Sequence, residues 1–518
     1  TVRIFSTNIS MEFGLEKCAT LTIHKGKATH TEDLTLSNNN TIKGLSLEES
    51  YKYLGVQQAE DVKHRQVKKQ TSAEYTNRVR KILKSKLNGG NTIQAINNWV
   101  VPVIRYTVGI VDWTIAELED LDRKTRKLMT AHRTLHPQSD IDRLYLPRRI
   151  GGGGLLQTRQ TVEEEIRNLS EYISSSTESA LKEVITEGLL TVEDTKKEYK
   201  RKEMRNRQER WQNKALHGQY LNDTDGKTDC EITWNWLKNG YLKKETEGFI
   251  MAAQDQAIRT NAIKARIDKT SSDSKCRLCK VKEETIDHLV SSCSKIAQTD
   301  YKERHDKVAS MLHWNLCRKY NLPTADKWWE HKVDKVLQKE DVKILWDFKI
   351  QTDKHLAHNI PDITVVEKKR VWIIDVAIPG DGRIEEKELE KISKYQDLKI
   401  EIERLWEKQA TVVPVVIGSL GAIPRDLRKH LRTIGLESIS PSQLQKTVLL
   451  GTAHILRTST SEISRSSERI RTKEDPKITP VQNILWTETK KTEIIVINIM
   501  MIMIIIIVKN NIDHCKIK

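Results

Sequence analysis

The chain has 518 residues and carries 87 Lys+Arg against 71 Asp+Glu, a formal charge of +16, with a hydrophobic content of 37%. That length suits about three domains, and the cationic excess points to a polyanionic partner, nucleic acid before acidic membrane. Seven cysteines, an odd number of which only three cluster, argue against a disulfide scaffold and for a reducing compartment with one metal site.

The chain opens at Thr1 with no charged-then-apolar leader, as expected for the interior of a longer polypeptide. Residues 1–60 read as short strands and turns. Cys18 to His24 alternates in polarity, Ser37-Asn38-Asn39-Asn40-Thr41 is a loop signal, and Tyr51 to Val56 reads as one more strand. Residues 71–135 read as helices. Val79, Ile82, Leu83 and Leu87 form one apolar stripe, a more apolar helix runs from Ile93 to about Val111, and Thr114-Ile115-Ala116-Glu117 is a capping box opening a third. Leu146-Pro147-Arg148-Arg149 leads into Gly151–Gly154, read as a flexible turn. Residues 159–215 are charged and helical. Lys196 to Arg210 holds eight basic and three acidic side chains, either a solvated face or a phosphate-contacting one, with Arg201 and Arg205 the nucleic-acid candidates.

Residues 340–435 change period. Strands are expected near Val342–Ile350, Asp362–Val366, Arg370–Ile378 and Thr411–Ile417, with one long helix from about Ile384 to Glu407, giving a compact α/β domain. The end of the chain is Ser/Thr/Lys-rich and then almost wholly Ile, Met and Val from Ile494 to Val508. That run is interrupted by Asn498 and falls short of the ~20 residues of a membrane helix. No stable membrane partner is expected, and the tail from 456 on is read as disordered or as spurious read-through.

Cys276-Arg277-Leu278-Cys279, His288 and Cys293 give C-x2-C-x8-H-x4-C. Three sulfurs and an imidazole at this spacing make a closed tetrahedral zinc site, structural because no position is left for water. It would present Lys275, Lys280 and Lys282 either to phosphates or to solvent.

Asp375 sits inside Ile373-Ile374-Asp375-Val376, where a carboxylate is costly to bury unless something pairs with it. Pro361-Asp362 precedes it by thirteen residues. Two aspartates from neighbouring strands can hold magnesium and direct it at a phosphodiester. The following helix offers Lys387, Lys391 and Lys394 on one face, with Leu389, Ile392, Leu398, Ile402 and Leu405 as its buried stripe and Tyr395 at its edge. A lysine there could orient water or neutralise phosphate charge. Glu386 and Glu388 are possible further ligands. Trp328-Trp329 and Trp234-Asn235-Trp236 are read as core before base-stacking platforms, and His355 and His358 as loop or phosphate-contacting residues.

These residues resemble a known family. Phe13-Gly14-Leu15-Glu16-Lys17-Cys18 and Tyr53-Leu54-Gly55 are similar to the last two palm motifs of a reverse transcriptase, and Leu146-Pro147-Arg148-Arg149 with Gly151–Leu155 to the segment after its thumb. The knuckle followed by Pro361-Asp362…Asp375…Lys391…Lys394-Tyr395 resembles the C-terminal half of non-LTR (LINE-type) retrotransposon polyproteins with a restriction-like endonuclease. The match covers roughly residues 1–455.

The resemblance implies target-primed reverse transcription: nicking of target DNA in the nucleus, then extension on element RNA. It makes Asp362 and Asp375 magnesium ligands and Lys391 or Lys394 the catalytic lysine. Restriction-type nucleases often place that lysine two residues after the second acid; Ala377 stands there, so a helix lysine must substitute. Lys17 matches the polymerase lysine that assists pyrophosphate departure. The paired aspartates of an earlier palm motif are absent, so this chain is not expected to polymerise alone.

The expected organisation is multidomain α+β. It runs from a palm remnant (1–60) through a thumb-like helical region (61–158), a basic helical linker (159–268), the knuckle (269–300) and a helical connector (301–339). A restriction-like nuclease (340–455) and the tail follow. The competing expectations are a catalytically silent nucleic-acid-binding remnant and an interaction protein held together by zinc.

Overall fold

The computed structural model describes residues 18–25, 27–36, 41–47, 49–53, 56–58, 62–178 and 194–459. The motif residues Phe13 to Lys17, Leu54 and Gly55, and the Ile-rich run, lie outside them. The described part is multidomain α+β: a helical N-terminal part, a Cys/His cluster, and a five-stranded mixed sheet with helices.

Seven short strands come first: Ala19–Thr20 (β1), Thr22–His24 (β2), Lys27–Thr29 (β3), Leu34–Thr35 (β4), Thr41–Gly44 (β5), Tyr51–Tyr53 (β6) and Val56–Gln58 (β7). The single strand expected from Cys18 to His24 is two. β1 pairs with β5 while β2 pairs with β3, so the alternation spans a change of sheet. The Tyr51–Val56 strand is likewise a hairpin, β6 with β7.

Helix α1 (His64–Lys84) buries Val79, Ile82 and Leu83, whereas Leu87 lies past its end and is exposed. The expected Ile93–Val111 helix is broken into Gly89–Ala95, a π-turn at Ile96–Val100 and Val101–Arg105. Pro102 has no N–H to continue the ladder, which accounts for the irregular turn before it. Helix α2 (Ile115–Ala131) carries the expected capping box: Glu117 N donates to Thr114 Oγ1 at 3.3 Å and Thr114 N to Glu117 Oε2 at 2.9 Å.

The glycine run is not a flexible turn. Residues 151–153 are buried, and a Cβ on Gly152 would lie 2.0 Å from Leu146 O. Fully buried Arg143 donates to Gly151 O (2.9 Å), Met251 O (3.0 Å) and Asp255 Oδ1 (2.6 Å), and also to Gln254. Its guanidinium lies over Trp211 (4.7 Å) and Trp234 (5.7 Å). Arg148 donates to Glu247 Oε2 at 2.6 Å and Leu237 O at 2.7 Å. Helix α3 (Thr158–Ser175) follows the loop, and these contacts tie the loop to Trp211 of α4 (Lys196–Gln212) and to α5 (Lys244–Gln254) and its surroundings. Trp234 and Trp236 are core, as expected.

Helix α6 (Lys302–Lys319) follows the knuckle. The sheet is ordered β12-β11-β10-β9-β8, with β8 Val336–Lys339, β9 Val342–Trp346, β10 Ile363–Val366, β11 Arg370–Ala377 and β12 Gln409–Val416. β11 and β12 are parallel and the other pairs antiparallel. β8 precedes the boundary expected at 340 and belongs to the same sheet. The crossover from β11 to β12 is two helices, α7 (Ile384–Lys394) and α8 (Gln396–Trp406), broken at Tyr395 instead of one long helix. Helices α9 (Leu427–Thr433) and α10 (Pro441–Ser459) end the described chain.

Both faces of the sheet are covered, which is why β11 reads as a continuous apolar run. Val308, Leu312, Leu316 and Cys317 of α6 pack with Ile344, Ile363, Ile374 and Val413 on one face. Tyr395, Leu398 and Ile402 pack with Leu345, Val371 and Ile373 on the other. Leu389, expected in the buried stripe, is 68% exposed; α7 buries Ile384 and Glu388 instead. The knuckle shares a third core with the helical part and with Ala377 and Ile384 at the sheet end.

Candidate metal centre and acidic strand-end site

The four knuckle side chains converge. Cys276 Sγ lies 3.9 Å from Cys293 Sγ and Cys279 Sγ 3.4 Å from His288 Nε2, close to the ~3.4–3.8 Å edges of a tetrahedral zinc site. Cys276, His288 and Cys293 are buried. The turn is built for this: Cys276 N donates to Lys282 O at 2.7 Å, Lys280 N to Cys276 O at 2.8 Å, and Lys280 takes φ +60 to close it. The amides of Lys282 and Val281 pull the Cys279 thiol down to about 6, favouring the thiolate a metal needs. Burial pushes the Cys293 thiol up. Outside the ligands, Arg277 Nη2 meets buried Glu284 at 2.7 Å, and the Tyr301 hydroxyl accepts from Cys293 N at 3.0 Å. This Cys3His cluster can hold a structural metal such as zinc. Lys275, Lys280 and Lys282 are exposed around it, and Arg201 and Arg205 are exposed on α4, where Arg207 instead turns inward.

The second site lies at the ends of β10 and β11. Ile363 pairs with Ile374, and continuing that register sets Asp362 opposite Asp375. Asp375 is buried, with three partners from the crossover. Lys391 Nζ is 2.5 Å from Oδ2, Lys394 Nζ 3.6 Å from Oδ1, and the Tyr395 hydroxyl donates to Oδ1 at 2.6 Å. Oδ2 accepts no well-angled hydrogen bond, so its contact with Lys391 is a bare ion pair. The break between α7 and α8 is what turns Tyr395 inward, to the centre of that packing face. Burial, then the Asp375 charge beside it, hold its phenol well above the usual range; the charges of Asp362 and Asp347 act the same way.

Asp362 Oδ2 accepts from Val376 N at 2.6 Å and lies 3.1 Å from His305 Nε2, delivered by α6 from the opposite face of the sheet. Burial works against charging His305, but hydrogen bonds to Asp306 and Asp362 and their charges prevail and raise it to about 10. His305 at neutral pH is therefore a cation against Asp362.

Of the remaining candidates, Lys387 pairs with Glu390 at 2.7 Å and leaves the site. Glu388 turns to His430 at 2.7 Å and Glu386 is exposed, so neither joins Asp375. His355 and His358 are exposed loop residues; Trp329 is exposed and Trp328 half-buried. Two contributors escaped the sequence reading, His305 and Asp347. Beside the site, a groove of about 1350 Å³ is lined by Lys335, Lys343, Lys349, Lys368 and Lys408, together with Glu340, Asp341, Asp347 and Ile360. Ile360 O lies 3.2 Å from the Tyr395 hydroxyl oxygen, so groove and site adjoin.

Among the described residues no helix is long and apolar enough to cross a membrane. No protein-family model matches the chain, and no curated protein matches it.

Proposed function

We propose that this chain is the C-terminal part of a LINE-type retrotransposon reverse transcriptase/endonuclease and that its sheet domain nicks target DNA with a divalent metal. The observation that carries the reading is the meeting of Lys391, Lys394 and Tyr395 with buried Asp375, beside Asp362, at the ends of two paired strands. Asp362 and Asp375 are the residues that would hold magnesium, and Asp375 Oδ2, buried and lacking a hydrogen bond of good geometry, suits a cation. Bound magnesium would supply a Lewis acid and a water of lowered pKa. Lys391 would answer the charge developing on phosphate, Tyr395 would fix the Asp375 carboxylate, and the lysine-lined groove would track the DNA backbone. Element RNA as a second partner and the nucleus as the place of action follow from the same resemblance.

The test is plasmid nicking in magnesium by the full chain. Asp375→Ala should abolish nicking while DNA binding persists; nicking by that variant would show that the site is elsewhere. The competing reading is a silent nucleic-acid-binding remnant. It is favoured by one fact: each carboxylate already faces a protein cation, Lys391 on Asp375 and His305 on Asp362. Under that reading the unaltered chain binds DNA and does not nick it.

A further inference from the structure

A second cluster of metal-ligating side chains lies on the other face of the sheet. His313 and Cys317 stand one turn apart on α6, and His331 follows the short 3-10 turn Trp328–Glu330 that leads towards β8. His313 and Cys317 are fully buried and His331 is half-buried. Their ligand atoms all lie within 4.8 Å of one another.

We propose that His313, Cys317 and His331 form a second metal site, separate from the knuckle, which takes a zinc-class divalent ion through two imidazole nitrogens and one thiolate. The i, i+4 spacing puts His313 and Cys317 on one helix face. Cys317 Sγ is 3.5 Å from His313 Nδ1, which matches the roughly 3.5 Å edge between nitrogen and sulfur in tetrahedral zinc. His313 Nδ1 and His331 Nε2 are 2.9 Å apart, and the corresponding edge of about 3.3 Å needs only a small opening of the two rings. The rings stack at 5.1 Å between centroids, and Trp346 closes edge-on at 5.7 Å, so the imidazoles are held in place by packing.

Two imidazoles and a thiolate suit zinc and its borderline-soft relatives better than magnesium or calcium. Binding displaces the Cys317 thiol proton to solvent as the sulfur–metal bond forms. Among the described residues no fourth His, Cys or carboxylate joins the cluster, so water takes the remaining corner. The ion would clamp α6 to the segment entering β8, and α6 also carries His305, eight residues or about 12 Å back along the same helix.

The experiment is metal stoichiometry of the purified full chain by mass spectrometry after equilibration with zinc and dialysis, repeated with cobalt(II) as a visible probe. The unaltered chain should hold two ions. His331→Ala should hold one and keep the strong sulfur-to-cobalt absorption of a three-thiolate site. A knuckle variant, Cys279→Ser, should lose the three-thiolate spectrum and keep a weaker one, about a third as intense, from a single thiolate. His331 is only half-buried and lies in a loop, so its replacement is the variant that preserves the fold; circular dichroism checks this. One ion in the unaltered chain, or two ions undiminished by both His331→Ala and Cys317→Ala, overturns the proposal.

Discussion

Asp362 and Asp375 are each balanced by a positive side chain brought from a different helix. His305 has a folded value of about 10 against an ordinary 6.5. Its contribution to stability is therefore complete below about pH 6.5 and is lost as pH rises through 10. Comparing the unaltered chain with His305→Gln by denaturant unfolding should give a difference of about 1–3 kcal/mol at pH 6, the scale of a charge-assisted hydrogen bond. It should shrink towards zero by pH 10; a difference independent of pH would show that His305 acts by packing alone. Arg143 gives a second residue-scale prediction. Arg143→Met leaves Asp255 buried without its cation, which should cost about 3–5 kcal/mol, measured as a lowered chemical-denaturation midpoint. The Asp375 pairing was legible in the sequence, because a carboxylate in an apolar strand demands a partner and the spacing of Lys391 and Lys394 puts both on one helix face. His305 was not, because it stands 57 residues from Asp362 and reaches it only through the packing of α6 on the sheet.

Among the elements, strands with strong apolar runs were recognisable, and those without were not. β11 is buried along nearly its whole length and announces itself; β8 is mostly exposed, an edge strand whose polarity resembles a loop. The crossover read as one helix because its apolar periodicity runs through Tyr395 unbroken; the interruption falls where that phenol meets Asp375 Oδ1 and Ile360 O. Tyr395→Phe keeps the packing and removes the hydrogen bond to Asp375, so it should cost about 1 kcal/mol of stability by thermal unfolding. Under the nuclease reading it should lower the nicking rate more than DNA affinity. The glycine run was misread for a related reason: sequence shows what a glycine permits, not what approaches it. Gly152→Ala should destabilise by about 2–3 kcal/mol, since a methyl group would meet Leu146 O. A variant as stable as the parent would mean the loop yields after all.

At the scale of the whole molecule, the knuckle spacing was readable because metal ligation fixes residue type and separation together, whereas the His313–Cys317–His331 cluster was hidden by a gap that only the fold closes. The net charge of +16 bears on binding more than on folding. Replacing Lys275, Lys280 and Lys282 by alanine should flatten the dependence of log affinity on log salt by about one unit for each lysine that touches phosphate. An unchanged slope would make those lysines plain solvated surface.

The buried guanidinium of Arg143 has one practical consequence. Its partners come from both sides of the stretch between residues 158 and 250: Gly151 before it, and Trp234, Met251, Gln254 and Asp255 within or after it. Severing the chain in that stretch would strip indole faces and a lone carboxylate of their cover, so attempts to express either portion alone should yield sticky, insoluble material unless the two are co-produced.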